Sequence, residues 1–327
     1  MNSFMINIIF SLILSFLITF YLIPFFCIIA QRLQFVDRPD GIIKKHKTAI
    51  PYLGGVAIFC GFLIALAFVC PANSQLFLLL IGLTILLFVG LLDDIVVMRP
   101  LQKLFGQLIA TFCFLKAGLY LKEHFFFNFW NIPISALWIL SIINAFNFVD
   151  VMDGLASLIA LAAAIIFFII ALCLQLQSVM PLLGAFIGAL SAFFLFNRPD
   201  AKIYLGDAGS LFIGGFLAVI PFFFNWGAYN QLGYLTPIIV LSIPLLEITS
   251  LVLIRSYKGI PFYKGSPDHF SLYLQARGWK KVSILWYIAV LYLLLCGASL
   301  LFVTGKISFW LLLIMGILFL INWFLNL

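Results

Sequence analysis

Charge is what this sequence has least of. Only 9% of its 327 residues are Asp, Glu, Lys or Arg, against 65% hydrophobic, and the mean hydropathy is +1.23. A soluble globule needs far more polar surface, so the composition excludes one and leaves an integral membrane protein. Histidine is scarcer still, with three in the chain. The six cysteines, Cys27, Cys60, Cys70, Cys113, Cys173 and Cys296, are scattered through apolar runs with no CxxC pair. That spacing suggests neither a disulfide framework nor a zinc site and leaves them as packing or lipid-facing residues. The first apolar run lacks a basic n-region and a small-residue cleavage site, so it reads as a retained helix rather than a signal peptide. No soluble domain, low-complexity tract or convincing repeat interrupts the chain, and residues 1–327 read as a single membrane domain.

What is present is a series of apolar runs, at 4–30, 52–70, 76–92, 102–120, 134–149, 154–174, 179–196, 209–224, 234–254, 282–304 and 306–326. Each crossing needs about 20 residues, so the runs predict an all-α polytopic protein with about eleven transmembrane helices. Of 18 Lys and Arg, only Lys116, Lys122 and Lys306 fall in loops after even-numbered runs. By the positive-inside rule the odd loops are cytoplasmic, with the N-terminus periplasmic and the C-terminus cytoplasmic.

The same split sorts the acids, which that rule does not require. Asp37, Asp40, Asp93, Asp94, Asp150, Asp153, Asp200, Asp207 and Asp268 all fall at cytoplasmic ends, leaving Glu123 outside and Glu247 within a run. Burying one unpaired carboxylate in hydrocarbon costs at least a few kcal/mol, so acids gathered on one face imply a cationic partner and a cytoplasmic active-site cleft.

Three clusters carry the chemistry. "GLLDDIVVMRPLQKLFGQ" ends the third run with Asp93 and Asp94 and resumes with Lys103. The bland reading is a helix end snorkelling into water. "NAFNFVDVMDGLA" places Asp150 and Asp153 three apart, on one face if the helix continues, after Asn144 and Asn147, whose amides suit a base, a sugar or helix packing. "NRPDAKIYLGDAGSLFIGG" sets Asp207 between Gly206 and Gly209, with Ser210 in the first turn of the following helix. Such a helix start presents free N–H groups to a phosphate, with Asp207 beside it to hold a hard cation. A single aspartate there is an ordinary N-cap; three clusters on one face favour a ligand. Asp207 and Asp150 are the candidate metal ligands. Glu247 is an intramembrane acid with Lys103 and Arg255 both open as partners. His46 and His269 lie in cytoplasmic loops and are candidate substrate contacts, although a lone loop histidine is commonly solvated; His124, outside, has only that bland reading.

From "DRPDGIIKKHKTAIPYLGG" to "SPDHFSLYL", the ordered set resembles the polyprenyl-phosphate N-acetylhexosamine-1-phosphate transferases. The resemblance implies Mg²⁺-dependent transfer, with Mn²⁺ as an alternative. A sugar-1-phosphate would pass from a UDP-amino sugar to undecaprenyl phosphate, releasing UMP, at a bacterial cytoplasmic (inner) membrane, as the first membrane step of surface polysaccharide (O-antigen, teichoic acid) or cell-wall synthesis. Homodimers occur in parts of the family, and nucleic acid is not an expected partner. It implies that Asp93 and Asp94 bind or deprotonate the lipid phosphate, that Lys103 contacts phosphate, and that Asn147, Asp150 and Asp153 line the nucleotide and catalytic cleft. Asp207 matches the magnesium ligand, and Asn197 and Tyr204 fall where uracil contacts are expected. Two positions depart from the pattern: Val151 stands where glycine is usual, and His269 stands alone where the family carries a histidine cluster. That loss points away from a muramyl-pentapeptide substrate.

Joining two phosphorylated substrates brings negative charges together, so catalysis is charge neutralisation and in-line positioning. Whether a carboxylate acts as base or attacks first stays open. The rival readings are a transporter or flippase, which predicts charges near the bilayer midplane, and a repurposed homologue of the same fold.

Overall fold

The computed structural model describes residues 3–37, 49–122, 128–228, 230–261, 263 and 265–325. Among them the chain forms thirteen α-helices and one two-stranded ribbon. α1 (Ser3–Arg32) leads into β1 (Val36–Asp37), which pairs antiparallel with β2 (Ile50–Pro51). Then come α2 (Gly54–Val69), α3 (Ser74–Val96), α4 (Pro100–Lys116), α5 (Asn131–Val149), α6 (Leu155–Cys173), α7 (Met180–Asn197) and α8 (Gly206–Val219). The chain ends with the short α9 (Thr236–Val240), α10 (Ser242–Tyr257), the short α11 (Phe270–Ala276), α12 (Lys281–Val303) and α13 (Phe309–Leu325).

Every apolar run carries a helix, but among the described residues not all of these helices are long and apolar enough to cross a membrane singly. Seven are long and apolar enough to span, or eight if the bent pair at 233–240 and 242–257, which turns by 66°, counts as one. α2 and α13 have only 16 and 17 residues, about 24 to 26 Å at 1.5 Å per residue against a hydrocarbon core of about 30 Å. α4 carries Lys103 near its start and Lys116 in its last turn. Apolar residues in the connecting turns lengthen these runs in the sequence without lengthening the helices.

Local signals set the helix starts that matter for the site. Asn73 caps α3 by accepting from the Leu76 N–H at 2.7 Å. Pro100 opens α4, where its missing N–H costs nothing, and the Gln102 side chain accepts from the Arg99 N–H at 3.0 Å. Between helices in lipid there is little hydrophobic drive, so association rests on close van der Waals fit, for which small residues let backbones approach. α8 is the hub, buried along almost its whole length. Phe62, Phe186, Phe212 and Phe216 fill the space between α2, α7 and α8, with the Phe186 and Phe216 rings stacked at 4.1 Å.

Gly90 lets α3 lie directly on the start of α8, since a Cβ there would collide with the Asp207 and Ala208 backbone. Gly297, on α12, faces open space. Gly90→Ala is therefore expected to lower both the melting temperature in detergent and activity. Gly297→Ala, relieved of glycine's cost of about 1 kcal/mol in a helix, should melt at or above the wild-type temperature. A Gly90→Ala protein as stable and active as the parent would remove this contact from the account.

Candidate active site

The ends of three helices supply the acidic groups, the last turn of α3, the residues just after α5 and the first turn of α8, and the start of α4 supplies Lys103. Asp93 and Asp94, adjacent in sequence, diverge in what they touch. Asp93 Oδ1 accepts from the Met98 N–H at 2.6 Å, closing the turn after α3, and Oδ2 faces Lys103 Nζ at 2.9 Å. Asp94 reaches across to α8, where Oδ1 accepts from the Asp207 N–H at 2.8 Å and Oδ2 from the Ala208 N–H at 3.1 Å. It is thus an N-cap supplied by another helix, a charge-dipole arrangement that favours an anion. The expectation that this helix start offers both groups to a phosphate is corrected here, because Asp94 already occupies them.

Lys103 is the centre of the cluster. Its ammonium donates to Asp93 Oδ2, to Asp207 Oδ2 at 2.5 Å and to Asn147 Oδ1 at 3.2 Å, which matches three donors to three acceptors. Asn147 in turn donates from Nδ2 to Asp207 Oδ1 at 2.9 Å and Ser210 Oγ at 3.0 Å. Lys103, Asn147, Asp93, Asp207 and Ser210, which the sequence places in three separate segments, are therefore one hydrogen-bonded unit.

Asp150 and Asp153 do not share a helical face. α5 stops at Val149, and both aspartates sit in the turn that Gly154, at φ +76°, closes before α6. Burial pushes the Asp150 carboxyl well above the usual carboxylate range, reinforced by the charges of Asp207, Asp94 and Asp153. Asp153 Oδ2 pairs with Lys281 Nζ at 2.8 Å. Asn197 is buried and braces the turn: its Oδ1 accepts from the Gly154 N–H at 3.1 Å and the Ser157 hydroxyl at 2.8 Å, while Nδ2 donates to the Ile203 carbonyl at 3.0 Å.

Asp94, Asp150, Asp153, Asn197, Tyr204 and Asp207 line a cavity of about 270 Å³, with Asp37, Tyr52, Val151, Met152 and Gly206. The segment after β2 is laced to residues 204–205 by backbone bonds from Tyr204 N–H to the Pro51 carbonyl and from Gly54 N–H to the Tyr204 carbonyl. This sets the Tyr52 and Tyr204 rings 5.9 Å apart on one wall. Burial, then a hydrogen bond to Asp37, raises the Tyr52 hydroxyl, so it stays a donor at neutral pH. Asp37, Tyr52 and Lys281 escaped the sequence reading as site residues. Asp37 was visible only as one more acid on the charged face and Lys281 only as one more base.

His269 does not line this cavity. Its Nδ1 lies 3.0 Å from Glu247 Oε1, with both side chains buried. The partner of Glu247 is therefore His269, rather than Lys103, which is committed elsewhere. Arg255, the other open choice, donates from Nε to Ser266 Oγ at 2.8 Å and lies over the Phe148 ring at 5.2 Å. Burial disfavours the charge on Asp268, yet hydrogen bonds from Lys258, Ser266 and Tyr273 outweigh it and hold the carboxyl below its usual range. The loop bearing His269 is thereby tied to α10 and, through Arg255, to the end of α5. His46 and His124 lie outside the described residues.

A multi-pass helical bundle whose polar cavity gathers carboxylates beside a cluster of a lysine and an asparagine belongs to the class of membrane-embedded enzymes that handle charged groups at a bilayer face. The model of Glycosyl transferase family 4 matches residues 76–225, which hold Asp93 through Asp207. The chain is 28% identical over 283 residues, 84% of its length and 79% of the relative's, to a "Probable undecaprenyl-phosphate N-acetylglucosaminyl 1-phosphate transferase" of Bacillus subtilis (strain 168). It is 30% identical over 274 residues to the "Undecaprenyl-phosphate alpha-N-acetylglucosaminyl 1-phosphate transferase" of Thermotoga maritima, covering 82% and 83% of the two chains. To a "Phospho-N-acetylmuramoyl-pentapeptide-transferase" of Staphylococcus carnosus it is 26% identical over 332 residues, 91% and 97% of the two. The chain belongs to Glycosyl transferase family 4, the polyprenyl-phosphate N-acetylhexosamine-1-phosphate transferases, and is a multi-pass membrane enzyme of that family.

Proposed function

We propose that this protein transfers an N-acetylhexosamine 1-phosphate from a UDP-amino sugar to undecaprenyl phosphate, releasing UMP, as a first membrane step in building a surface polysaccharide. The observation that carries the reading is the union of Lys103, Asn147, Asp93 and Asp207 beside a cavity lined by five aspartates. So many carboxylates in one cavity call for cations, which a divalent metal and the lysine supply.

Asp207 and Asp150 offer hard oxygen donors suited to Mg²⁺. Among the described residues no three acidic or histidine side chains converge as a ligand set. Mg²⁺ commonly takes one or two carboxylates and completes its shell with water and substrate phosphate. Bound there, the ion would neutralise charge on the diphosphate and on the departing UMP. An oxygen of the lipid phosphate attacks the sugar-bearing phosphorus, and the bond from that phosphorus to the bridging oxygen breaks, leaving with UMP. Lys103 holds phosphate charge at the transition state. Of the aspartate pair Asp94 faces the cavity and acts on the lipid phosphate, while Asp93 orients Lys103. Tyr204, Asn197 and Asp153 form the nucleotide end, narrowed by Val151, and Ser210 and His46 complete the substrate contacts. His269 acts through the loop it fastens.

The single histidine of that loop favours a plain N-acetylated amino sugar over a muramyl-pentapeptide. Residues 1–327 act as one domain, with the N-terminus periplasmic, the C-terminus cytoplasmic and the cleft on the cytoplasmic face of a bacterial inner membrane. In the proposed test, the purified protein receives a panel of UDP-amino sugars and undecaprenyl phosphate, with Mg²⁺ or EDTA. UMP release is expected to require lipid and metal and to fall roughly a hundredfold or more in Asp207→Asn. Release unaffected by EDTA and by Asp207→Asn would remove the metal from the scheme, and silence of the folded protein across the panel would remove the reaction.

A further inference from the structure

Lys281 opens α12, 128 positions from the aspartate it pairs with. The Asp153 side chain is 10% exposed and that of Lys281 41%, so the carboxylate belongs to the cavity wall and the ammonium to its rim. The Ala201 N–H approaches the same oxygen, Oδ2, at 3.5 Å. Oδ1 receives no hydrogen bond from any described residue. The protein's donors thus gather on one oxygen and leave the other as an acceptor in a wall of the cavity. α12 also braces the turn itself: Leu285, one turn beyond Lys281, lies 3.2 Å from where a Cβ on Gly154 would stand. Asn197 holds the same glycine from the other side.

We infer that Lys281 is a positioning residue for the nucleotide, holding Asp153 with one oxygen committed to the ion pair and the other presented to a ring N–H of the base. The inference rests on the uridine-nucleotide reading above. An aspartate in a turn is otherwise free to rotate about its side-chain torsions, and it shares the cavity with three more carboxyl groups, Asp150, Asp94 and Asp207. A cation at the rim sets its direction without entering the cavity. The ring chemistry follows: uracil carries an N–H between two carbonyls and suits a lone carboxylate oxygen, whereas cytosine presents an acceptor at that ring atom.

The experiment titrates UMP into the full-length protein in detergent with Mg²⁺, comparing wild type, Lys281→Met, Lys281→Arg, Asp153→Asn and the Lys281→Met, Asp153→Asn double variant, each with its melting temperature. Lys281→Met is expected to weaken UMP binding roughly tenfold, the scale of one well-aligned charge-assisted hydrogen bond. Lys281→Arg should return within roughly threefold of wild type by keeping the ion pair. In the Asp153→Asn background Lys281→Met should add no further loss, because its effect passes through that carboxylate. A merely structural lysine would lower the melting temperature and leave the affinity of the folded protein where it was. Wild-type affinity in Lys281→Met, an arginine variant as weak as the methionine one, or additive losses in the double variant would each overturn the inference while leaving the uridine reading in place. A wild-type protein that binds no UMP would overturn both.

Discussion

Lys103→Met should reduce UMP release by roughly a thousandfold or more and lower the melting temperature in detergent by several degrees. The lysine's three donors are all spent, on Asp93, Asp207 and Asn147, and its side chain is only 15% exposed. Taking the cation away leaves two carboxylates and an amide oxygen converging on nothing. Breaking an enclosed charge pair by removing one partner costs about 3 to 5 kcal/mol, and here the lost charge is also the one proposed to meet the phosphate. Lys103→Arg should not restore activity, because a planar fork cannot direct three donors at three acceptors disposed around a point. Turnover and melting curves of the two variants, measured side by side, decide this. A methionine variant within tenfold of wild-type turnover would show that the cluster is scaffolding only.

Asp150→Asn should separate stability from activity. An acid whose value is raised by folding holds its proton longer in the folded chain than in the unfolded one. Its contribution is therefore complete at pH values below the ordinary aspartate value of about 4 and is lost as pH rises toward the raised value of Asp150. In metal-free detergent solution the wild type should lose melting temperature as pH climbs through that window. Asp150→Asn, with nothing to ionise there, should follow a flatter curve and melt higher at pH 8, while UMP release falls roughly a hundredfold. Added Mg²⁺ should narrow the gap by favouring the ionised wild-type carboxyl. A variant that melts below wild type at pH 8 would contradict the assignment of charge crowding to this residue.

The sequence shows that acids crowd one end of the bundle, because the bilayer makes every ionisable residue conspicuous. It shows the Lys103 segment, the Asn147 segment and the Asp207 turn as separate islands, and the structure closes them into one unit. What it hides falls into two kinds. Partners joined only by tertiary packing, such as Lys281 with Asp153 or His269 with Glu247, leave no trace in local spacing. The sequence left Lys103 and Arg255 both open as partners for Glu247, but the loop folds back and brings a histidine against the carboxylate. Competing uses of one group are hidden as well: the free N–H groups inferred at the start of α8 are real as chemistry, but Asp94 reaches them from α3. Helix ends are hidden for a simpler reason. Apolar turn residues read as membrane span until the backbone bends away, as between α9 and α10.

The cap that Asp94 places on α8 has an implication for drug resistance. Most targets escape an inhibitor by altering a contact residue at small cost to the fold. Here the carboxylate that faces the cavity also fastens α3 to the hub helix, and the lysine beside it joins three segments at once. A compound that anchors on Asp94 and Lys103 would meet side chains that a bacterium can exchange only by loosening the enzyme itself, so escape would be driven outward, to residues such as Val151 elsewhere in the cavity wall.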